Sequence, residues 1–156
     1  MHRALFSHAK DEWTTPVEFY AALEAELGPF DLDAAATAAT TRCARWLGPG
    51  GLAPDALTAA WGMPRAVVFL NPPYSRVRAF MTKAAVEVHV RQCTVVALVP
   101  ARTDTRWWHE HIWDRHRHTA RAGVEIRFVR GRLRFGTATA SAPFPSVVLI
   151  LRPAGG

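Results

Sequence analysis

Two short apolar runs, residues 66–70 and 94–99, flank a stretch of helical periodicity, and this order limits the folds open to the chain. Neither run shows the polar alternation of a half-exposed strand, so we expect both to be buried strands. Between them, apolar residues recur at the spacing of an amphipathic helix: Val77, Phe80, Met81, Ala84, Ala85 and Val88. Strands that alternate with helices predict an α/β sheet.

The flanking segments extend this pattern in both directions. Thr15, Pro16 and Glu18 have the spacing of a capping box, which predicts a helix start there and an end at Gly28-Pro29. Residues 30–34 and 42–47 are candidate strands, 104–116 a candidate helix, and 124–129, 132–135 and 146–152 candidate closing strands. We therefore predict one Rossmann-like α/β domain over residues 13–152, with a mostly parallel sheet, antiparallel strands at one edge, and a flexible arm at 1–12.

The composition bounds the class of protein. The chain has 156 residues, 49% of them apolar, which is enough for one buried core. No run approaches the roughly 20 apolar residues of a membrane helix, and no apolar leader is present, so we predict a cytoplasmic location. Cys43 and Cys93 match no metal or redox spacing and are predicted to be small buried side chains.

The net charge of +6 is unevenly distributed. Residues 1–75 contain five Lys/Arg and eight Asp/Glu, whereas residues 76–134 contain thirteen Lys/Arg and five Asp/Glu. Nearly all the basic residues are arginine, which pairs with phosphate in a forked geometry. A genome rich in G and C would also favour arginine codons, but the clustering indicates a polyanionic partner.

The strongest local signal is the tetrapeptide Asn71-Pro72-Pro73-Tyr74, which lies between a buried strand and a helix. Its prolines fix the backbone, so that the Pro72 carbonyl and the Asn71 side chain can face one point. Two acceptors there could draw the amine of a base toward tetrahedral geometry for attack on a sulfonium methyl group. Tyr74 offers an aromatic face for a base swung out of a duplex. The alternative is a plain loop with two prolines.

Several segments together resemble the phage-type DNA adenine methyltransferase (Dam-like) family. The tetrapeptide is similar to the Asp/Asn-Pro-Pro-Tyr/Phe loop of amino-methyltransferases. The other segments that resemble family motifs are residues 13–16, 30–36, 98–109, 125–135 and 141–146. The resemblance covers residues 13 to about 152, and it implies a methyltransferase domain with S-adenosylmethionine as donor and adenine in DNA as acceptor.

The resemblance also implies roles for individual residues. Asp33 would hold the amino-acid end of the donor, with Trp13, Thr15, Pro16 and Asn71 in the same cofactor site, while Asn71, Pro72, Pro73 and Tyr74 would form the catalytic loop. Only one of Asp31 and Asp33 is expected to face the cofactor, namely Asp33 near the strand end, and Asp31 is expected to be a cap or surface acid. For the ribose, Asp55 is the nearest acid after the candidate second strand.

Two arginine-containing segments are candidate DNA contacts. Arg102, Thr105 and Arg106 follow a strand end, where they suit phosphate. Trp107 and Trp108 beside them could stack on or wedge between bases, or could pack in the core of a helix capped by Asp104. Arg130, Arg132 and Arg134 alternate with apolar residues, which predicts a basic stripe on a half-buried strand that faces either DNA or plain solvent.

We therefore expect a DNA (adenine) methyltransferase of bacterial or phage-infected cells. Methylation of another exocyclic amine (in cytosine, RNA or a free nucleotide) and a catalytically inactive DNA-binding module remain alternatives. The small domain leaves little room for a separate sequence-reading module, so specificity is expected to be low or to need a homodimer. Four histidines in residues 109–118 lack cysteine neighbours, which favours a solvated basic helix over a metal site.

Overall fold

The computed structural model describes residues 14–136 and 141–155. Three helices are present in these ranges: α1 (Val17–Leu27), α2 (Val77–Arg91) and α3 (Arg106–His111), with a 3-10 turn at Tyr74–Arg76. The seven strands are β1 (Leu32–Asp33), β2 (Val67–Leu70), β3 (Thr94–Pro100), β4 (Trp113–Asp114), β5 (Thr119–Ala120), β6 (Val124–Phe128) and β7 (Ser146–Leu151). The predicted arm at residues 1–12 lies outside the described residues.

Five strands form one mixed sheet in the order β1-β2-β3-β7-β6. β1, β2 and β3 are parallel, whereas β7 runs antiparallel to both β3 and β6. The α/β class and the antiparallel strands at one edge are confirmed. The sheet is more evenly mixed than the sequence predicts, because β1 is short and the closing strands pair antiparallel. β4 and β5 form a separate hairpin.

Side chains that alternate along the central strands supply a core on each face of the sheet. Val68, Leu70, Val95 and Ala97 pack on the face that includes α2, Trp61, Trp107 and Trp108. Phe69, Val96 and Leu98 pack on the other face, against Tyr20, Leu23 and Phe30. This double burial explains the uninterrupted apolar runs, because neither face of these strands meets water.

Three local predictions are wrong. Residues 42–47 form no strand and contribute one bridge, Trp46 to Asp33, because β1 offers only two residues for pairing. Residues 132–135 form a loop rather than a strand, between Gly131 and Gly136, which both have positive φ. The helix predicted for 104–116 ends at His111. The Asp114 carboxylate then accepts the backbone N–H groups of His116 and Arg117, a local turn that competes with helix.

Other features of the described chain agree with the sequence analysis. Cys43 and Cys93 are buried and unbonded to each other, as predicted. α1 ends at Gly28, also as predicted. No helix within residues 14–136 and 141–155 has the length and apolar content that a bilayer crossing requires.

Candidate active site

A cavity of about 230 Å³ opens at the carboxyl ends of β1 and β2. Because these strands are parallel, Asp33 at the end of β1 and Asn71 just after β2 lie at the same edge, where α/β sheets bind ligands. Thr14, Thr15 and Asp55 also line the cavity. Its apolar lining comes from Leu47, Pro49, Pro54, Ala56 and Phe80.

Asp33 is the buried acid of this cavity, with 4% of its surface exposed. Its carboxylate accepts the backbone N–H of Ala35 at 3.2 Å. Burial raises the pKa of Asp33 to about 7, although the backbone N–H groups of Ala35 and Arg42 oppose the shift. Asp31 is exposed and instead accepts the backbone N–H of Val67 at 2.8 Å. Of the two acids, Asp33 lines the cavity and Asp31 does not.

Thr15 holds the side chain of Asn71. The Asn71 Nδ2 group donates a hydrogen bond to Thr15 Oγ1 at 2.9 Å. Thr15 is 4% exposed, and its own carbonyl accepts a hydrogen bond from Arg42 Nη2 at 2.9 Å. Thr15 was predicted to cap α1, but the helix takes Pro16 as its N-cap, with no side-chain cap bond. The Thr15 hydroxyl is committed to the catalytic loop instead.

The rest of the tetrapeptide is held by packing. Pro72 is buried, Pro73 lines the cavity, and Tyr74 begins the 3-10 turn that leads into α2. The Tyr74 ring is half-buried, 5.5 Å from the ring of Phe144 between centroids and tilted by 52° to it. One edge of the tyrosine is therefore fixed against the core, which orients the ring at the border of the site.

The six residues that are predicted to contact DNA all lie after strands that end at the same edge of the sheet as the cavity. β3 is parallel to β2, and β6 runs in the same direction as β3, since both are antiparallel to β7. Arg102, Thr105 and Arg106 follow β3, whereas Arg130, Arg132 and Arg134 follow β6. The five arginines are exposed, and Thr105, the N-cap residue of α3, donates from Oγ1 to the Arg102 carbonyl at 2.7 Å.

The loop that carries the second arginine group retains the predicted alternation without being a strand. Leu133 is half-buried and Phe135 buried, while Arg132 and Arg134, which alternate with them, are exposed. The Gly136 N–H donates to the Thr14 carbonyl at 2.8 Å. This bond ties the basic loop to a residue that lines the cavity.

Trp107 and Trp108 belong to the core. They are 4% and 3% exposed, with ring centroids 5.7 Å apart in an edge-to-face arrangement. The structure thus decides against base stacking by either tryptophan. Pro16 does not line the cavity, and Trp13 lies outside the described residues.

The histidines do not converge. His109 Nε2 lies 2.8 Å from the Thr103 carbonyl, and His111 Nε2 lies 3.2 Å from Thr82 Oγ1. Within residues 14–136 and 141–155, no cluster of three or more His, Cys, Asp or Glu side chains has a geometry that could hold a metal ion.

The sequence matches a protein-family model described as DNA N-6-adenine-methyltransferase (Dam) over residues 3–154. The chain belongs to this family. It is also 37% identical, over 101 residues, to a DNA N-6-adenine-methyltransferase of Escherichia phage T1. That alignment covers 65% of this chain but only 40% of the phage protein, so the chain spans well under half of that relative's length. The resemblance seen in the sequence motifs is confirmed at the level of the family.

Two cavity residues that follow the tetrapeptide of this Dam-family chain were not predicted from the sequence. Arg76 and Phe80 both line the cavity, and the Arg76 guanidinium carbon lies 6.0 Å from the centre of the Phe80 ring. Phe80 was read only as part of the apolar face of a helix. Its position one turn after Arg76 was the available signal, since residues four apart share a helix face. Asp55 does line the cavity, and its Oδ1 accepts the Leu57 N–H at 2.9 Å.

Proposed function

We propose that this chain transfers a methyl group from S-adenosylmethionine to the exocyclic 6-amino group of adenine in DNA, using a Rossmann-like methyltransferase domain over residues 13–152. The observation that carries this proposal is the hydrogen bond from Asn71 to Thr15 beside the buried Asp33. It joins the catalytic loop to the lining of the donor cavity, so that a methyl group and an amine could meet there.

The cavity suits the donor in charge and shape. Asp33 is buried, and among the described residues only backbone N–H groups donate hydrogen bonds to it, which leaves its carboxylate able to accept from an ammonium group. Asp55 uses one oxygen for the Leu57 N–H, and its second oxygen can accept from ribose hydroxyls or a ring amine. Leu47, Pro49 and Phe80 offer an apolar wall for the adenine ring of the donor. When bound, S-adenosylmethionine supplies an electrophilic methyl group on a sulfonium.

The catalytic loop would activate the amine by orienting it. Thr15 takes a hydrogen bond from Asn71 Nδ2, which fixes the amide plane and directs Oδ1 away from Thr15. Asn71 Oδ1 and the Pro72 carbonyl would accept the two N–H groups of the target amine and free its lone pair. Transfer forms a nitrogen–carbon bond and breaks a sulfur–carbon bond, and the amine then releases a proton to solvent, so that no general base is required. Tyr74, braced by Phe144, would stack on the flipped base.

The exposed arginines at the same edge would bind the DNA backbone. Arg102, Arg106 and Thr105 lie after β3, and Arg130, Arg132 and Arg134 lie after β6, on one side of the cavity. Arginine and threonine are common donors to phosphate oxygens. The homodimer and the cytoplasmic location stay predictions.

The decisive test incubates DNA with the protein and isotope-labelled donor, followed by mass spectrometry of the nucleosides. We expect labelled N6-methyladenine. Asn71→Ala should lower the rate of transfer about 10²–10³-fold, as removal of one transition-state contact does elsewhere, while donor affinity changes little.

Asp31, just before β1, gives a matched control for Asp33. Asp33→Asn should weaken donor binding strongly, whereas Asp31→Asn, at an exposed acid that does not line the cavity, should not. Label in cytosine, RNA or free nucleotides would contradict the adenine assignment. DNA binding with no methylation by the wild-type protein would indicate an inactive binding module.

A further inference from the structure

A second, more open groove of about 640 Å³ runs along the outer side of α2, directly after the catalytic loop. We call it the α2 groove. Its polar and charged lining comes from Ser75, Arg76, Arg78, Thr82 and Lys83. Leu57, Ala79 and Val86 supply its apolar surface.

The charge of the α2 groove is one-sided. Three cationic side chains line it and no carboxylate does. Lys83 is already paired with the buried Glu87 at 2.7 Å, so its charge is largely neutralised. Arg78 is exposed, and within the described residues its guanidinium makes no ion pair or hydrogen bond. Arg76 is exposed, and its guanidinium carbon lies 6.0 Å from the centre of the Phe80 ring. Two guanidinium groups are thus presented to an external anion.

The α2 groove adjoins the candidate active site, because Arg76 lines both spaces. Ser75 follows Tyr74 directly. From Arg78 to Val86 the helix advances about 12 Å, at about 1.5 Å per residue. On one DNA strand, successive phosphates are about 3.4 Å apart along the duplex axis, so this length corresponds to about three to four nucleotides.

The lining also has the chemistry that a sugar-phosphate backbone needs. Arginine, serine and threonine are typical phosphate donors, and small apolar side chains suit the sugar faces between phosphates. A base bound by Tyr74 would leave its own strand running past Ser75 and into the groove. The arginines after β3 and β6 belong to other loops, so the α2 groove would add a separate contact surface.

We propose that the α2 groove binds the sugar-phosphate backbone of the DNA strand next to the target base, with Arg78 and Arg76 as the phosphate contacts. This inference rests on the proposed DNA methyltransferase function. It assigns a role to the outer face of α2, which the family motifs described above do not include.

The first test measures DNA affinity of the full-length protein by fluorescence anisotropy over a series of salt concentrations. Arg78→Ala should raise the Kd for duplex DNA about three- to tenfold at moderate salt, equally across sequences, and should lower the salt slope by about 1. Its donor affinity should not change, because Arg78 does not line the donor cavity. The matched control is Arg65→Asn, an exposed arginine before β2 at the opposite edge of the sheet, whose positive φ asparagine tolerates.

The second test uses the fact that both native cysteines are buried. Ala79→Cys places an exposed thiol in the α2 groove, where a photo-crosslinker can be attached selectively. It should crosslink to the strand that contains the target adenine, within about four nucleotides. Ala25→Cys, exposed on α1, is the control and should give little crosslinked DNA.

The outcomes separate this inference from the proposed function. If wild-type protein methylates DNA while Arg78→Ala and Arg78→Glu match Arg65→Asn in affinity and salt slope, the α2 groove does not bind DNA. A groove built for an acidic protein segment would give that result. If wild-type protein neither binds nor methylates DNA, the proposed function and this inference both fall.

Discussion

Asp33 gives the most quantitative prediction, because its burial fixes both the sign and the size of a pH effect on donor binding. With its pKa raised to about 7, the empty site holds a protonated carboxyl group below neutral pH. An ammonium group binds the ionised form, so donor binding must displace that proton. Between pH 7 and pH 5.5 the ionised fraction falls from about one half to about one thirtieth, which should raise the Kd about 15-fold.

The assay is calorimetry with S-adenosylhomocysteine in two buffers of different ionisation enthalpy. Below pH 7 the ligand's own amino group stays protonated, since α-amino groups titrate near 7.7–8.0. We expect release of about half a proton at pH 7 and about one at pH 5.5. Asp33→Asn should bind weakly with no pH dependence, whereas Asp31→Asn should keep the wild-type profile. Constant affinity with no proton release from wild-type protein would refute the role of Asp33 as the ammonium partner.

The raised pKa of Asp33 also affects the stability of the folded protein. A carboxyl group whose pKa is higher in the folded state than its ordinary value of 3.8 favours folding at low pH and loses that contribution as the pH rises toward 7. The loss amounts to at most about 4 kcal/mol, from about three pH units at 1.36 kcal/mol each. At pH 8 the empty Asp33→Asn variant should therefore melt at a higher temperature than the empty wild-type protein. A lower melting temperature would contradict the buried, uncompensated charge.

Three further predictions concern single side chains. Thr15→Val removes the acceptor for Asn71 Nδ2 and should lower kcat about three- to tenfold. Thr15→Ser keeps the hydroxyl and should have the wild-type kcat. Equal kcat values for the two variants would show that the hydrogen bond does not position Asn71. Tyr74→Ala should weaken binding of the flipped base by about 1–3 kcal/mol, measured as an increase in KM for DNA. Tyr74→Phe keeps the ring and should change KM little. An equal increase in KM for both variants would rule out stacking. Trp107→Ala should lower the free energy of unfolding, measured in urea, by about 3–5 kcal/mol. Weaker DNA binding at unchanged stability would instead indicate that Trp107 contacts DNA.

The central sheet and its helix could be predicted from the sequence because their signals are local. The runs that became β2, β3 and β7 are apolar apart from Thr94 and Ser146 at the first positions of β3 and β7, and the period of α2 is that of an amphipathic helix. The tetrapeptide at the end of β2 could be placed at the ligand edge for the same reason. Its prolines end the strand, and a parallel sheet brings strand ends together.

Elements that depend on a distant partner were not predictable in this way. The composition of residues 42–47 is compatible with a strand. They contribute one bridge instead, because β1 has only two residues for pairing. The sequence around Trp107 and Trp108 does not distinguish buried from exposed tryptophans. Only the packing of α3 against α2 shows that both are buried. Residues 132–135 keep the alternation of exposed and buried side chains but form a loop, because none of the strands in the described residues pairs with them.

The sequence by itself determined the family and the order of the central elements and singled out residues 71–74 as the candidate catalytic loop, because motifs and periodicity depend on neighbouring residues. Only the tertiary structure decided that Thr15 serves Asn71, 56 residues away, rather than its own helix. It also decided that Arg76 lines both the candidate active site and the α2 groove. The physical reason is that a hydrogen bond or a shared wall depends on where the chain returns in space, and side-chain chemistry alone does not specify the partner.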